Sequence, residues 1–124
     1  MKLFIFLASL FTLTVSADSC KKKKDNTVHK GKLEIKAMCM NYTIGVLDGS
    51  IDTSLIAANW TDETTGKLYQ NVFRLGSPCD FPDSIKEGQE FYFIVDTMSK
   101  QGCPVCMAYY PTPSKKLMIK VVEK

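Results

Sequence analysis

The chain has 124 residues and a formal net charge of +3 at pH 7, which leaves room for one domain. The positive excess lies before Gly31, in Lys2, Lys21–Lys24 and Lys30, whereas ten basic and eleven acidic residues follow from Gly31 onward. A basic tail without a basic domain argues against a nucleic-acid-binding protein, so no nucleic-acid partner is expected.

The first residues predict a secretory signal peptide. Lys2 supplies a short positive start, and an apolar run of thirteen residues follows from Leu3 to Val15. Crossing a bilayer takes roughly 20 apolar residues, so this run is too short for a membrane helix. We assign residues 1–19 to the signal peptide, and ordinary cleavage after Ala17 is the alternative.

The cysteine count bears on where the mature chain begins. Five cysteines are an odd number for an exported protein, and four remain to pair if Cys20 carries lipid. The stretch Ala17-Asp18-Ser19-Cys20, followed by Lys21–Lys24 and Asp25, resembles the start of small envelope lipoproteins of Bacteroidota. The resemblance implies lipidation of Cys20, membrane lipid as a partner and a lipid-anchored place in the cell envelope. Ordinary cleavage would instead give a secreted or periplasmic protein.

Residues 20–30 are polar and charged, and they predict a flexible basic tether because they cannot bury enough apolar surface to fold. His29, the only histidine of the chain, falls in this segment and is expected to be solvated. Without a histidine in the folded part, no nucleophilic triad is expected. We predict no catalytic residue and no cofactor.

From Gly31 onward the pattern predicts strands. Leu33, Ile35 and Ala37 alternate with polar residues, which is typical of a half-buried strand. A second strand follows over 42–47, where Gly45 suggests a bulge or bend. The remaining predicted strands are a hairpin over 55–61 and 67–75, a strand over 91–95, and a strand over 117–122.

The order of these segments resembles the five-stranded, partly open barrel of oligonucleotide/oligosaccharide-binding (OB) proteins. In that fold the first strand is long and bent and leads directly into the second. Four segments correspond to its parts: Gly31–Asp48, Asn71–Leu75, Glu90–Thr97 and Leu117–Val122. The resemblance implies an all-β domain over 31–124, with five to six strands in a partly open barrel and little helix.

The four remaining cysteines predict disulfides in an exported chain and allow three pairings. In the barrel the first strand runs antiparallel to the 91–95 strand. The end of the first strand, with Cys39, then lies near the loop that holds Cys79. This arrangement predicts Cys39–Cys79 and Cys103–Cys106.

The sequence Cys103-Pro104-Val105-Cys106 leaves a second function open, that of a periplasmic or secreted thiol–disulfide redox protein. It lacks the helix N-terminus and the β-α-β setting which that chemistry uses. A four-cysteine zinc site would show two closely spaced pairs, whereas Cys39 and Cys79 stand alone, so no metal site is predicted. The methionines beside the cysteines are interpreted as core packing.

Trp60, Tyr109 and Tyr110 form a candidate binding face for a protein or glycan partner. Packing in the core or at a sheet edge is the competing interpretation for Trp60 and Tyr69. The sequence as a whole favours a non-catalytic envelope lipoprotein that serves as a binding or accessory module.

Overall fold

A computed structural model of the protein describes residues 26–96 and 104–124. The predicted signal peptide, most of the predicted tether, Cys20 and Cys103 lie outside the described residues. Seven strands occur in the described part of the chain: β1 (His29–Lys36), β2 (Tyr42–Val46), β3 (Ala57–Thr61), β4 (Leu68–Leu75), β5 (Glu90–Val95), β6 (Lys116–Leu117) and β7 (Ile119–Val122). Three single turns of 3-10 helix join them, at Met38–Met40, Thr53–Leu55 and Pro78–Asp80.

The strands form one sheet in the order β3-β4-β2-β1-β5-β7, with β6 added in parallel to β4. Because β6 and β7 are separated only by Met118, the C-terminal strand pairs with β4 through one part and with β5 through the other. The sheet therefore curls into a partly open barrel, and the predicted all-β, OB-like fold is confirmed. The strands number seven rather than the predicted five to six, because the predicted C-terminal strand is split into β6 and β7.

Ser77 joins the two parts of the sheet where the C-terminal strand is interrupted. Its buried hydroxyl donates to the carbonyl oxygen of Ile119 at 2.9 Å and accepts from the backbone N–H of Ile119 at 3.2 Å. The neighbouring Gly76 N–H donates to the Leu117 carbonyl oxygen at 2.8 Å. The Ser77 hydroxyl thus forms the hydrogen bonds of the Ile119 backbone groups, which a neighbouring strand would form in an uninterrupted sheet.

The first two strands form the predicted long, bent hairpin. Cys39 and Met40 reverse the chain with φ of 57° and 58°, a left-handed conformation that is uncommon outside glycine. A register shift between Leu33 and Ile35 places the bulge in β1 rather than at Gly45. Glycine at position 45 instead leaves room for the Glu34 side chain, because a Cβ there would lie 2.9 Å from Oε1 of Glu34.

The core fills the inner face of the barrel. Leu33, Ile44, Phe73 and Phe93 are fully buried there, and the rings of Phe73 and Phe93 lie 5.9 Å apart. At Gly31 a Cβ would come within 2.9 Å of the Phe93 ring, so glycine lets this ring pack across β1. Alternating apolar side chains on curved strands are what a small barrel needs to fill its interior.

His29 corrects two sequence-based expectations. It is the first residue of β1, so the folded domain starts before Gly31, and its side chain is only 3% exposed rather than solvated. Its Nδ1 lies 2.8 Å from Oγ of Ser50 and 3.6 Å from Oδ1 of Asp48. The reason is strand pairing: β1 continues along β5 as far as the His29–Phe93 pair, which brings the imidazole onto the core.

Within the described ranges, the structure contains no helix long and apolar enough to cross a bilayer.

Candidate functional site

The segment of residues 104–115, which we call the strap, connects the region after β5 to β6. It has almost no regular secondary structure, yet it is attached to the barrel along its length. A disulfide joins Cys106 to Cys39, and the Ala108 carbonyl accepts a hydrogen bond of 3.0 Å from Nδ2 of Asn41. The Tyr110 hydroxyl donates a hydrogen bond of 3.0 Å to Oδ2 of Asp62. Near the end of the strap, the Lys115 carbonyl accepts a hydrogen bond of 2.7 Å from the Arg74 backbone N–H. The strap is thereby held against the β1–β2 bend at one end and the β3–β4 hairpin further along.

The disulfide pattern differs from the predicted one. Cys39 is bonded to Cys106, with Cα atoms 5.0 Å apart and a sequence separation of 67. The predicted Cys39–Cys79 pair is therefore wrong, and so is Cys103–Cys106, because Cys106 is already bonded. Cys79 is also disulfide-bonded, to a partner outside the described residues. The physical reason is that the β1–β2 bend faces the strap, a proximity that strand order alone does not reveal.

The β3–β4 hairpin carries a pair of stacked aromatic rings. Trp60 and Tyr69 are directly opposite each other on the two strands, and their ring centroids lie 5.7 Å apart at an interplanar angle of 31°. Lys67 places its ammonium 4.8 Å from the centre of the Tyr69 ring. Both rings are only partly buried. The interpretation of Trp60 as packing is thus half right, since it packs on Tyr69 but keeps an exposed part.

Asp62 organises the tip of this hairpin. Its side chain is 1% exposed and accepts hydrogen bonds from the Thr64 backbone N–H at 2.9 Å and from the Tyr110 hydroxyl at 3.0 Å. Burial acts to raise the pKa of the Asp62 carboxyl, but the hydrogen bonds from Thr64 and Tyr110 outweigh it and leave the pKa below its ordinary value. The carboxylate is therefore ionised at neutral pH, and it raises the pKa of the Tyr110 phenol by accepting its hydrogen bond.

Tyr109 is the most solvent-exposed aromatic residue at this place. It is 79% exposed, and its hydroxyl lies 3.4 Å from Oε1 of Glu63 on the hairpin tip. The structure thus brings two of the three predicted face residues, Tyr109 and Tyr110, to the hairpin that carries the third, Trp60. Sequence reasoning favoured packing for Tyr69 and missed Asp62. The register of the hairpin, which sets Trp60 opposite Tyr69, is the signal that could have indicated the first of them.

A cleft of about 690 Å³ lies between the strap and the barrel. Its walls include the disulfide residues, the end of β4 with the turn that follows, and the start of β6. Tyr109 and Tyr110 also line it, so the cleft and the aromatic surface of the hairpin tip are continuous. We call this combined surface, made of Trp60, Tyr69, the hairpin tip 62–67, Tyr109, Tyr110 and the cleft, the strap surface.

One disulfide joins two of the sulfur-containing residues in the described ranges. Residues 104–106 are irregular chain without a helix N-terminus, and Cys106 is oxidised to Cys39. No group of three or more potential His, Cys, Asp or Glu metal ligands occurs among the described residues. Met38 and Met107 are 63% and 97% exposed, so their interpretation as core packing is wrong.

Comparisons of the chain with protein-family models, with curated proteins and with solved structures found no match. The class of the protein therefore follows from its own geometry: a small, all-β barrel domain whose surface is shaped by a disulfide-tied strap.

Proposed function

We propose that this protein is a non-catalytic binding module of the cell envelope and that it binds a saccharide chain on the strap surface. The observation that carries this proposal is the attachment of Tyr110 to Asp62. It holds an irregular segment that carries two tyrosines against the tip of the hairpin on which Trp60 and Tyr69 are paired. Fixed aromatic rings around a concave surface with a few polar groups are typical of ligand sites.

A saccharide suits the chemistry of the surface. Exposed parts of Tyr109, Trp60 and Tyr69 offer flat apolar faces on which the C–H faces of a pyranose ring can pack. The Glu63 carboxylate beside Tyr109 accepts hydrogen bonds from hydroxyl groups. The nearly neutral domain, with ten basic and eleven acidic residues from Gly31 onward, argues against nucleic acid as the ligand. OB-type barrels also bind oligosaccharides, a fold-level analogy that supports the proposal only in general terms.

The alternative function, thiol–disulfide exchange by Cys103 and Cys106, receives no support from the strap. Exchange of this kind cycles a disulfide between the two cysteines of one short motif, whereas Cys106 is bonded to a cysteine 67 residues earlier. Cys106 instead serves to attach the strap.

We further propose that Cys20 is the lipidated N-terminus of the mature chain and that residues 21–28 hold the barrel away from the membrane. Lipid on an N-terminal cysteine anchors a protein without a spanning helix. The support is the signal-length apolar run and the odd cysteine count. The intact mass of the purified mature protein tests it, because a mass equal to unmodified residues 18–124 would show ordinary cleavage and a soluble product.

The sole tryptophan of the chain, Trp60, gives a direct test of saccharide binding. Titration of the protein with neutral and charged polysaccharides should change the emission of Trp60, and Tyr109→Ala should weaken the apparent affinity. Tyr92→Ala is a matched control, because Tyr92 lies on β5 under the Lys124 ammonium, away from the strap surface. If no saccharide changes the emission or binds by calorimetry, or if both variants weaken binding equally, the proposal is wrong.

A further inference from the structure

Two cations stand side by side in the cleft. Arg74 on β4 and Lys116 on β6 are register partners of the parallel β4–β6 pair, and both line the cleft. Arg74 is the only arginine of the chain. Among the described residues, neither its guanidinium nor the Lys116 ammonium takes part in an ion pair.

This arrangement contrasts with two cations on β1, Lys30 and Lys32, each of which has an acidic partner. On β1 the Lys30 ammonium lies 3.1 Å from Glu90, and the Lys32 ammonium lies 3.9 Å from Glu34. Both residues of the Arg74–Lys116 pair are exposed, and their like charges on neighbouring strands repel each other. Among the described residues that line the cleft, the one acidic residue is Asp80.

A concave surface raises the electrostatic effect of such a pair. Low-dielectric walls concentrate the field of charges of one sign and attract ligands of the opposite sign. The guanidinium presents a planar fork of N–H donors that matches a carboxylate or a sulfate ester with two parallel hydrogen bonds. The Ser77–Cys79 turn and Thr112 form nearby parts of the same wall.

We propose that the cleft binds an anionic substituent, a carboxylate or a sulfate ester, of the saccharide that occupies the strap surface. The inference rests on the proposed saccharide binding and specifies its ligand as an acidic saccharide. The charges also orient that ligand. Its anionic group lies at Arg74 and Lys116, whereas its neutral hydroxyl-bearing part extends past Tyr109 toward the carboxylates of the hairpin tip, which repel anions.

The test compares saccharides that differ only in charge. A neutral oligosaccharide that ends in one galacturonic acid residue and its methyl ester are titrated into the purified protein by calorimetry, and the neutral oligosaccharide with and without one terminal sulfate ester forms a second pair. We expect at least one acidic member to bind about tenfold more tightly than its neutral counterpart. A difference within the first pair identifies a carboxylate as the recognised group, and a difference within the second pair identifies a sulfate ester.

Substitution of the two cations tests whether they cause the preference for the acidic saccharide. Arg74→Gln and Lys116→Gln should each remove most of the preference for the acidic member while leaving the affinity for the neutral one unchanged. Lys120→Gln, an exposed position on β7 with the same loss of charge, should behave as the unmodified protein. Thermal unfolding of each variant confirms that it is folded.

The outcomes separate the two proposals. Equal affinity for acidic and neutral members, or a preference that survives Arg74→Gln and Lys116→Gln, overturns this inference and leaves saccharide binding intact. Failure of all four saccharides to bind overturns both.

Discussion

The hydroxyl of Tyr110 donates a hydrogen bond to the nearly buried carboxylate of Asp62 over a distance of 3.0 Å, although 48 residues separate the two in sequence. Through this contact the strap is attached to the tip of the β3–β4 hairpin. The same carboxylate accepts the Thr64 N–H, so one side chain both shapes the turn and receives the strap.

Tyr110→Phe should release the middle of the strap, because it removes the hydroxyl and keeps the ring. We expect a lower urea midpoint of unfolding and faster hydrogen exchange at strap amides. The loss should be smaller than that caused by removal of the disulfide. Tyr109→Phe is the matched control, since its 3.4 Å contact with Glu63 is long and exposed. Equal effects of the two variants would contradict a special role for the bond to Asp62.

The carboxyl of Asp62 should make stability depend on pH in the acidic range. Its pKa in the folded protein is below the ordinary value of 3.8, so the folded state favours the ionised form. This stabilisation is fully present above about pH 5 and is lost as the pH falls from about 4 through the lowered pKa. Asp62→Asn should be less stable at neutral pH and should lose less stability on acidification. Urea unfolding from pH 2 to pH 7 measures both effects, and parallel curves for the two proteins would contradict them.

The Cys39–Cys106 disulfide closes a loop with a sequence separation of 67. The chain-entropy relation assigns about 4 kcal/mol of stability to a loop of this size. The double variant Cys39→Ala, Cys106→Ala should therefore lose several kcal/mol in denaturant unfolding, and it should lose saccharide binding as the strap detaches. Peptide mapping without reduction gives an independent check, because a Cys39–Cys79 peptide would contradict the pairing.

Ser77→Ala should destabilise the barrel out of proportion to the one oxygen atom removed. The hydroxyl serves both the N–H and the carbonyl of Ile119 in a buried place, and an unpaired buried polar group costs about 1–3 kcal/mol. Unfolding in urea measures the loss. Ser114→Ala, at an exposed strap position, should have little effect, and a similar loss in both variants would contradict the role of Ser77.

Thr43 differs from Ser77 because removal of its hydroxyl should stabilise the protein. Its side chain is fully buried, and its hydroxyl has no hydrogen-bond partner among the described residues. Thr43→Val keeps the shape and the β-branched stem while removing the unsatisfied group, so we expect a gain of about 1 kcal/mol. Thr43→Ala, which leaves a cavity, should instead be destabilising. A loss of stability in the valine variant would show that the hydroxyl is needed.

Local patterns in the sequence determined the strands. Alternation over Leu33, Ile35 and Ala37, the aromatic run from Phe91 to Val95 and the turn-rich residues 62–66 predicted β1, β5 and the β3–β4 hairpin, and the structure confirms them. A strand can be recognised from sequence because successive side chains point to opposite faces of the sheet. A few neighbouring residues therefore show which face is apolar. The resemblance to the OB-type barrel also implied that β1 and β5 run antiparallel, as the structure shows.

Only the tertiary structure decided which distant residues meet. Cys39 pairs with Cys106 and not with Cys79, His29 enters the core, and Tyr110 reaches Asp62. Each of these contacts depends on where an irregular segment lies across the barrel or on how far strand pairing extends. An irregular segment carries no periodicity that fixes its path. That path follows instead from the few long-range bonds that the folded barrel makes possible, which no local pattern encodes.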